Sequence, residues 1–465
     1  MNARALFAAD AWLPDGWRRD VLLEWDERGL LTVVTPDADA PAHVPRAAGP
    51  VLPGMPNLHS HAFQRAMAGL TEYRGDPADS FWTWRDLMYR FARRITPEGV
   101  AAIAHWLYVE MLKAGYTWVC EFHYVHRDVD GQSYPNVAEL AQRVVGAARD
   151  AGIGLTMLPV LYQHSGFGER PPRDDQRRFI ETPDGLLGLL DALARALPEH
   201  AGLRYGVAPH SLRAVSDGGL RALLDGLRGL SRVAPDAPVH VHVAEQEAEV
   251  AACIGHYGAR PVQWLLDRFG VDARWCLVHA THVDAAETAA LAASGAVAGL
   301  CPTTEANLGD GLFPAGTYLG ARGRFGIGSD SHVAVDWRAE LRLLEYGQRL
   351  ARRARNVLSD EAQPSVADRL FAAALAGGAQ AAGAAAGALV AGRRADCVVL
   401  DAAHPAIAER ESAVWLSGVV FGEHGASPVR DVYAGGKRVV ENGRHRGEDD
   451  AYARYRAAVA ALRAG

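Results

Sequence analysis

The chain has 465 residues, of which 49% are hydrophobic and 22% charged, the composition of an ordinary soluble globular protein. Its formal net charge of -7 argues against nucleic acid as a partner, because binding phosphates requires a basic surface. No apolar run approaches the roughly 20 residues that span a bilayer, which argues against a membrane partner too.

Residues 1–52 read as short strands, Ala5 to Ala8, Val21 to Trp25 and Leu31 to Thr35, separated by Pro-Asp-Gly and Glu-Arg-Gly turns. Arg4, Asp10, Pro14 and Asp15 interrupt the apolar residues of the first twenty, so no signal peptide is expected there. Residues 53–387 then alternate apolar runs with longer helical stretches. The runs are Gly54 to His61, Thr117 to Tyr124, Gly154 to Tyr162, Leu203 to His210, Val239 to Ala244, Cys276 to Thr281, Ala296 to Pro302 and Phe325 to Asp330. Eight such runs predict an α/β fold, a (β/α)8 barrel of the TIM type. The Ala-rich stretch Phe371 to Val390, broken by glycines and Gln380, reads as a buried helix and its loop.

Strand texture returns in residues 388–448, at Ala395 to Leu400 and at Asp431 to Val440 around Gly435-Gly436. Neither flank is long enough for a core of its own, so the two chain ends are expected to pair into one small β-sandwich domain. Residues 449–465 show helical spacing at Tyr452, Tyr455, Val459 and Leu462 and should form a C-terminal helix. The five cysteines, Cys120, Cys253, Cys276, Cys301 and Cys397, are scattered and form no CxxC pair, which fits a reducing cytoplasm.

Polar residues gather where the apolar runs end, and barrel enzymes build their active sites at the C-terminal ends of their strands. The first run ends in His59-Ser60-His61. Side chains alternate along a strand, so these two histidines face the same way and can share one ion. The fifth run supplies His240, His242 and Glu245, the sixth His279 and His282, the eighth Asp330 and His332. Imidazole nitrogens with one carboxylate oxygen and an open position make a catalytic zinc or iron site.

The order Pro53-Gly54-Met55-Pro56-Asn57-Leu58-His59-Ser60-His61, then His242 with Glu245, then His279, then Asp330, resembles the amidohydrolase superfamily over essentially the whole chain. That resemblance implies that His59, His61, His242 and Asp330 ligate a divalent metal. It implies that Glu245 shuttles protons and that His279 polarises substrate or water. His240 is expected inside the barrel, and His282 and His332 in supporting or loop roles. Two-metal relatives bridge their ions with a carboxylated lysine or another carboxylate at a middle strand end. Lys113 lies in a helical stretch, Lys437 in the terminal β-region, and the fourth run ends in His210-Ser211. One ion is therefore expected, zinc first, with iron(II) or manganese(II) as alternatives.

His61 is followed by Ala62-Phe63-Gln64-Arg65, with Ser80-Phe81-Trp82-Thr83-Trp84-Arg85 beyond. The second run ends in Glu121-Phe122-His123-Tyr124, and the fourth is followed by His210-Ser211-Leu212-Arg213. This set resembles the formimidoylglutamate deiminase family of histidine breakdown, whose members are commonly dimers. By resemblance Gln64, Arg85, Tyr124, His210 and Arg213 hold the substrate, a small dicarboxylate, while Phe81, Trp82 and Trp84 read as packing or lid residues. The physical sense is that arginine's planar fork matches a carboxylate in bidentate fashion. The implied reaction is hydrolysis of N-formimino-L-glutamate to N-formyl-L-glutamate and ammonia. A metal-activated water attacks the formimino carbon, Asp330 takes its proton, and Glu245 protonates the leaving nitrogen. A purine or aminopyrimidine deaminase of the same superfamily would share the metal set without needing Arg85 and Arg213. A cytidine-type deaminase needs P-C-x-x-C, which is absent. A non-catalytic scaffold would not require both Glu245 and Asp330.

Overall fold

The computed structural model describes residues 4–72, 81–422 and 425–464. Eight parallel strands alternate with helices: β1 (Met55–Ser60), β2 (Tyr116–His123), β3 (Gly154–Leu161), β4 (Leu203–Tyr205), β5 (Val239–Val243), β6 (Trp275–His279), β7 (Val297–Leu300) and β8 (Arg324–Ile327). β1 to β4 pair in sequence, as do β5 to β8. Bridges Val207–Val239 and Ser211–His242 join β4 to β5, and Ser60–Asp330 joins β1 to β8, so the sheet closes on itself. Every residue of β2, β3 and β5 is buried, as expected of parallel strands covered on both faces.

The helices between the strands carry local start and stop signals. In Pro97–Ala114, the Thr96 hydroxyl accepts the Gly99 N–H at 3.1 Å, proline occupies the first turn, and Gly115 at φ 95° ends it. In Ala285–Ser294, Asp284 and Glu287 form a reciprocal capping box and Gly295 ends the helix. These stops aim the chain straight into the next strand. No helix among the described residues is long and apolar enough to cross a membrane, and the Ala-rich stretch forms the buried helix Val366–Ala382.

Strand four departs from the predicted run Leu203 to His210. It stops at Tyr205 and resumes only as Ala208–Pro209. At Gly206 a Cβ would lie 2.4 Å from the Pro238 carbonyl oxygen, so the close approach of β5 breaks the strand and demands glycine.

The chain ends form one eight-stranded sheet, in the order Arg444–His445, Lys437–Glu441, Val429–Ala434, Cys397–Leu400, Val51–Pro53, Ala5–Leu13, Gly16–Trp25, Leu31–Thr35. The strands Ala5–Leu13 and Gly16–Trp25 are longer than predicted. The short strand Val51–Pro53 joins the two flanks, pairing parallel with Ala11 and antiparallel with Val399 through the same residue, Val51. Leu6, Ala8, Val21, Leu23, Val51, Cys397 and Val399 pack into a core of this sheet. The flank reading found only strands here and missed the helix Ser412–Phe421, which packs Trp415 on Trp17 (ring centroids 5.1 Å) and Phe421 on Tyr346 (5.7 Å). The terminal helix, Glu448–Ala464, lies on Pro97–Ala114, with Tyr452 4.9 Å from Trp106 and the Lys113 amine 2.6 Å from Glu448.

Candidate active site

The C-terminal ends of the strands meet over one buried cleft. His59 lies on β1 with His61 just beyond it, His242 on β5, His279 at the end of β6, and Asp330 after β8. All five are at least nine-tenths buried. The Nε2 atoms converge: His59 to His61 is 3.2 Å and His59 to His242 is 2.9 Å. Asp330 Oδ1 stands 3.4 Å from His59 Nε2 and 3.3 Å from His61 Nε2.

This donor set fits a metal ion. His61 Nδ1 donates to the Phe122 carbonyl at 2.9 Å, so its proton sits there and the Nε2 lone pair faces the cluster. Burial, then the neighbouring histidines, hold His59 and His242 well below the ordinary imidazole range, and burial lowers His61 to about 3. Neutral imidazoles with lone pairs pointing at one another are the form a cation needs. Four donors about 2.0–2.1 Å from a tetrahedral centre would be about 3.3 Å apart, close to the separations seen.

His279 stands beside this cluster. Its Nδ1 donates to Glu305 at 3.3 Å, leaving Nε2 3.8 Å from both Glu245 Oε1 and Asp330 Oδ2. Burial pulls this imidazole down, but the carboxylates of Glu245, Glu305 and Asp330 outweigh it and raise it to about 10. Burial raises Glu245, opposed by His279 and Arg213. Cys301 also lies near His279 and Glu305, but Glu305 Oε1 already accepts the Cys301 N–H at 2.8 Å, so this group is hydrogen-bonded support.

Gln64, Arg85, Tyr124, His210 and Arg213 all line the same cleft as His61, His242, Glu245, His279 and Asp330. Gln64 Nε2 donates to the Tyr124 hydroxyl at 2.8 Å, while its Oε1 is buried without a hydrogen-bond partner among the described residues. The His210 ring packs 4.5 Å from Tyr162, and Arg213 Nη2 is 3.9 Å from Glu245 Oε2. Arg85 lies over the ring of Tyr89 at 5.5 Å. Trp84 joins the cleft wall. The side chains of Phe81 and Trp82 lie outside the described residues.

His240 points into the barrel below His242 and bonds the Ala381 carbonyl at 2.8 Å. His332 accepts the His61 N–H at 3.2 Å and contacts Ser329 Oγ at 2.9 Å, which fixes the turn carrying His61. His282 sits on the loop after β6, its N–H donating to the Ala244 carbonyl at 3.0 Å. Sequence reasoning assigned no role to three buried carboxylates. Glu121 accepts from Ser60 Oγ at 2.6 Å and from the Ala62 N–H at 2.7 Å, and burial raises it to about 7. Glu305 supports His279, and Glu249 supports the turn at Glu245. Their signal was position: each lies within a few residues of the end of β2, β7 or β5. Tyr89 and Tyr162 were also missed. Both line the cleft and share Gln176 Nε2, at 3.2 and 2.9 Å.

A family model described as the amidohydrolase family matches residues 51–439. The chain is 55% identical to the formimidoylglutamate deiminase of Pseudomonas aeruginosa, over 96% of each chain. It is 26% identical to the 5-methylthioadenosine/S-adenosylhomocysteine deaminase of Haloarcula marismortui, over 90% of this chain and 88% of that one. Among solved structures, an amidohydrolase from Brucella melitensis superposes with a TM-score of 0.91 at 46% identity, covering 99% of both chains.

Proposed function

This chain belongs to the amidohydrolase family, and we propose that it hydrolyses N-formimino-L-glutamate to N-formyl-L-glutamate and ammonia. The observation that carries this reading is the 55% identity to a formimidoylglutamate deiminase over nearly the full length, together with a cleft that joins two arginines to the histidine cluster. The distant relation to a methylthioadenosine deaminase gives the aminopurine alternative far less weight.

The family is metal-dependent, and His59, His61, His242 and Asp330 would hold one divalent ion. Zinc is the first choice, since imidazole nitrogens and a carboxylate oxygen are ligands that suit it. When bound, the ion supplies a water nucleophile activated at neutral pH. Arg85 and Arg213 bind the two substrate carboxylates, and Tyr124, His210 and Gln64 complete the clamp. This orients the formimino carbon toward the histidine cluster. Asp330 accepts the proton of the attacking water. His279, held by Glu305, faces Asp330 and Glu245 and stabilises the charge that develops between them. Glu245 delivers a proton to the terminal nitrogen, which leaves as ammonia, because the clamp keeps the glutamate nitrogen away from it. All five cysteines are buried and free, which supports a reducing cytoplasm, and we expect a homodimer there.

A substrate panel tests the reading. Purified, metal-loaded protein should release ammonia from formiminoglutamate far faster than from other formimino-amino acids or from aminopurines. Preferential turnover of an aminopurine would overturn it.

A further inference from the structure

Glu245 does not follow directly from strand β5. Between them Ala244 adopts φ +51°, a left-handed conformation that a residue with a Cβ seldom takes, and this swings Glu245 into the cleft. The conformation persists only if the surroundings over-determine it. They do so through the His282 N–H, which donates to the Ala244 carbonyl at 3.0 Å, and through one side chain. Glu249, 3% exposed, accepts the Ala244 N–H on Oε1 at 3.3 Å and the Glu245 N–H on Oε2 at 3.1 Å. It sits in the first turn of the helix Glu247–Tyr257, where a carboxylate also suits the helix dipole. Gln246, which begins that helix, makes no side-chain cap and reaches Asp310 instead, so Glu249 is the side chain that caps the turn.

The same carboxylate also acts on Arg213, in the loop after the neighbouring strand β4. The Arg213 side chain is 11% exposed; burial lowers its guanidinium, but the carboxylates of Glu249 and then Glu245 outweigh this and raise it. Arg213 Nη2 lies 3.9 Å from Glu245.

We propose that Glu249 is a positioning residue that holds the Glu245 turn through its two backbone hydrogen bonds and so keeps the Glu245 carboxylate directed into the cleft. The kinetic half rests on the functional reading above. The backbone half does not.

Two substitutions separate reach from charge. Glu249→Asp keeps the charge but is too short to accept both N–H groups, and Glu249→Gln keeps the length but loses the charge and one acceptor. In fully metal-loaded protein both should lower kcat about 10- to 100-fold, the range expected from misplacing a reacting group. KM for formiminoglutamate should stay near wild type in both variants, since neither alters a side chain that lines the cleft. A purely structural role would change thermal stability and leave kcat and KM per metal-loaded site as in wild type, and that result would overturn the proposal. Amide hydrogen exchange, measured without substrate, supplies the second readout. The Ala244 and Glu245 amides should exchange about 10-fold faster or more in Glu249→Ala, and unchanged exchange would equally overturn it. If the wild type releases no ammonia from formiminoglutamate, the functional reading fails while the exchange rates still decide the role of Glu249.

Discussion

The sheet made from the chain ends and the mouth of the barrel both bury polar groups, and they treat them in opposite ways. In the sheet, Arg394 and Asp396 are buried as a pair. Arg394 Nη1 reaches Asp396 Oδ1 at 2.8 Å and the Thr117 carbonyl at 3.2 Å, and the Gly435 N–H completes Asp396 at 2.8 Å. Each group finds its partner inside the protein, as stability requires. At the mouth, three imidazole Nε2 atoms and a carboxylate oxygen face one another at 2.9 to 3.4 Å. With the His61 proton fixed on Nδ1, these atoms cannot all satisfy each other, and a cation is what completes them. Backbone strain divides the same way. In the sheet, positive φ falls on Gly16, Asp20, Gly29, Asp37, Gly435, Gly436, Asn442 and Gly443, residue types that tolerate it. At the mouth it falls on Ala244 and Ala280, whose Cβ disfavours it, as well as on His279, Asp330 and His332. Strain of that kind persists where geometry serves chemistry.

The contrast can be broken from either side. Its strongest test is removal of the metal. Chelation should abolish ammonia release while the flank sheet stays folded, and about one equivalent per chain should restore activity. A requirement for two tightly held equivalents, read by metal analysis against rate, would contradict the single-site account. Next comes Glu245→Gln, which preserves the shape of the side chain and removes its acid–base function. Turnover should fall by about 100- to 10,000-fold with metal retained, and wild-type turnover would dismiss the role. Arg213→Met and Arg85→Met should each weaken use of formiminoglutamate about 10- to 150-fold, the value of a charge-assisted hydrogen bond worth about 1.5–3 kcal/mol. Steady-state kinetics on both variants check this, and unchanged values in both would revive the aminopurine reading. The smallest catalytic effect belongs to the sheet. Leu23→Ala removes a fully buried side chain from its core and should cost about 2–5 kcal/mol of stability. The kcat of the remaining folded, metal-loaded enzyme should not change, and denaturation run beside kinetics shows whether it does.

Much of the mouth was legible because its chemistry is carried by residue type and spacing. His59-Ser60-His61, His242, Glu245, His279 and Asp330 each close an apolar run, and the barrel topology alone brings them together. Gln64, Tyr124, His210 and Arg213 follow the same strand ends and reach the same cleft. The supporting carboxylates were not legible. Among 55 acidic residues, nearness to a strand end is the one signal of Glu121, Glu249 and Glu305, and the exposed Glu247 shares it, since burial depends on which loop folds over which. The fold shows the same limit. Alternating runs revealed eight barrel strands, but the break at Gly206 comes from Pro238, thirty-two residues on, and three-residue Val51–Pro53 is too short to show a period. Ser412–Phe421 mixes valines and aromatics without a polar face, so neither helical nor strand spacing stands out in it.

The central claim concerns which bond breaks. Attack on the formimino carbon produces a centre bearing two nitrogens, one terminal and one attached to glutamate, and the protonated nitrogen leaves. On the proposed binding mode, with the glutamate part clamped by Arg85, Arg213, Tyr124 and His210, the terminal nitrogen would face Glu245. Identification of the products formed from N-formimino-L-glutamate by the metal-loaded protein tests this directly. Ammonia and N-formyl-L-glutamate in equal amounts are predicted, and formamide with free glutamate would contradict the account while leaving the metal site intact.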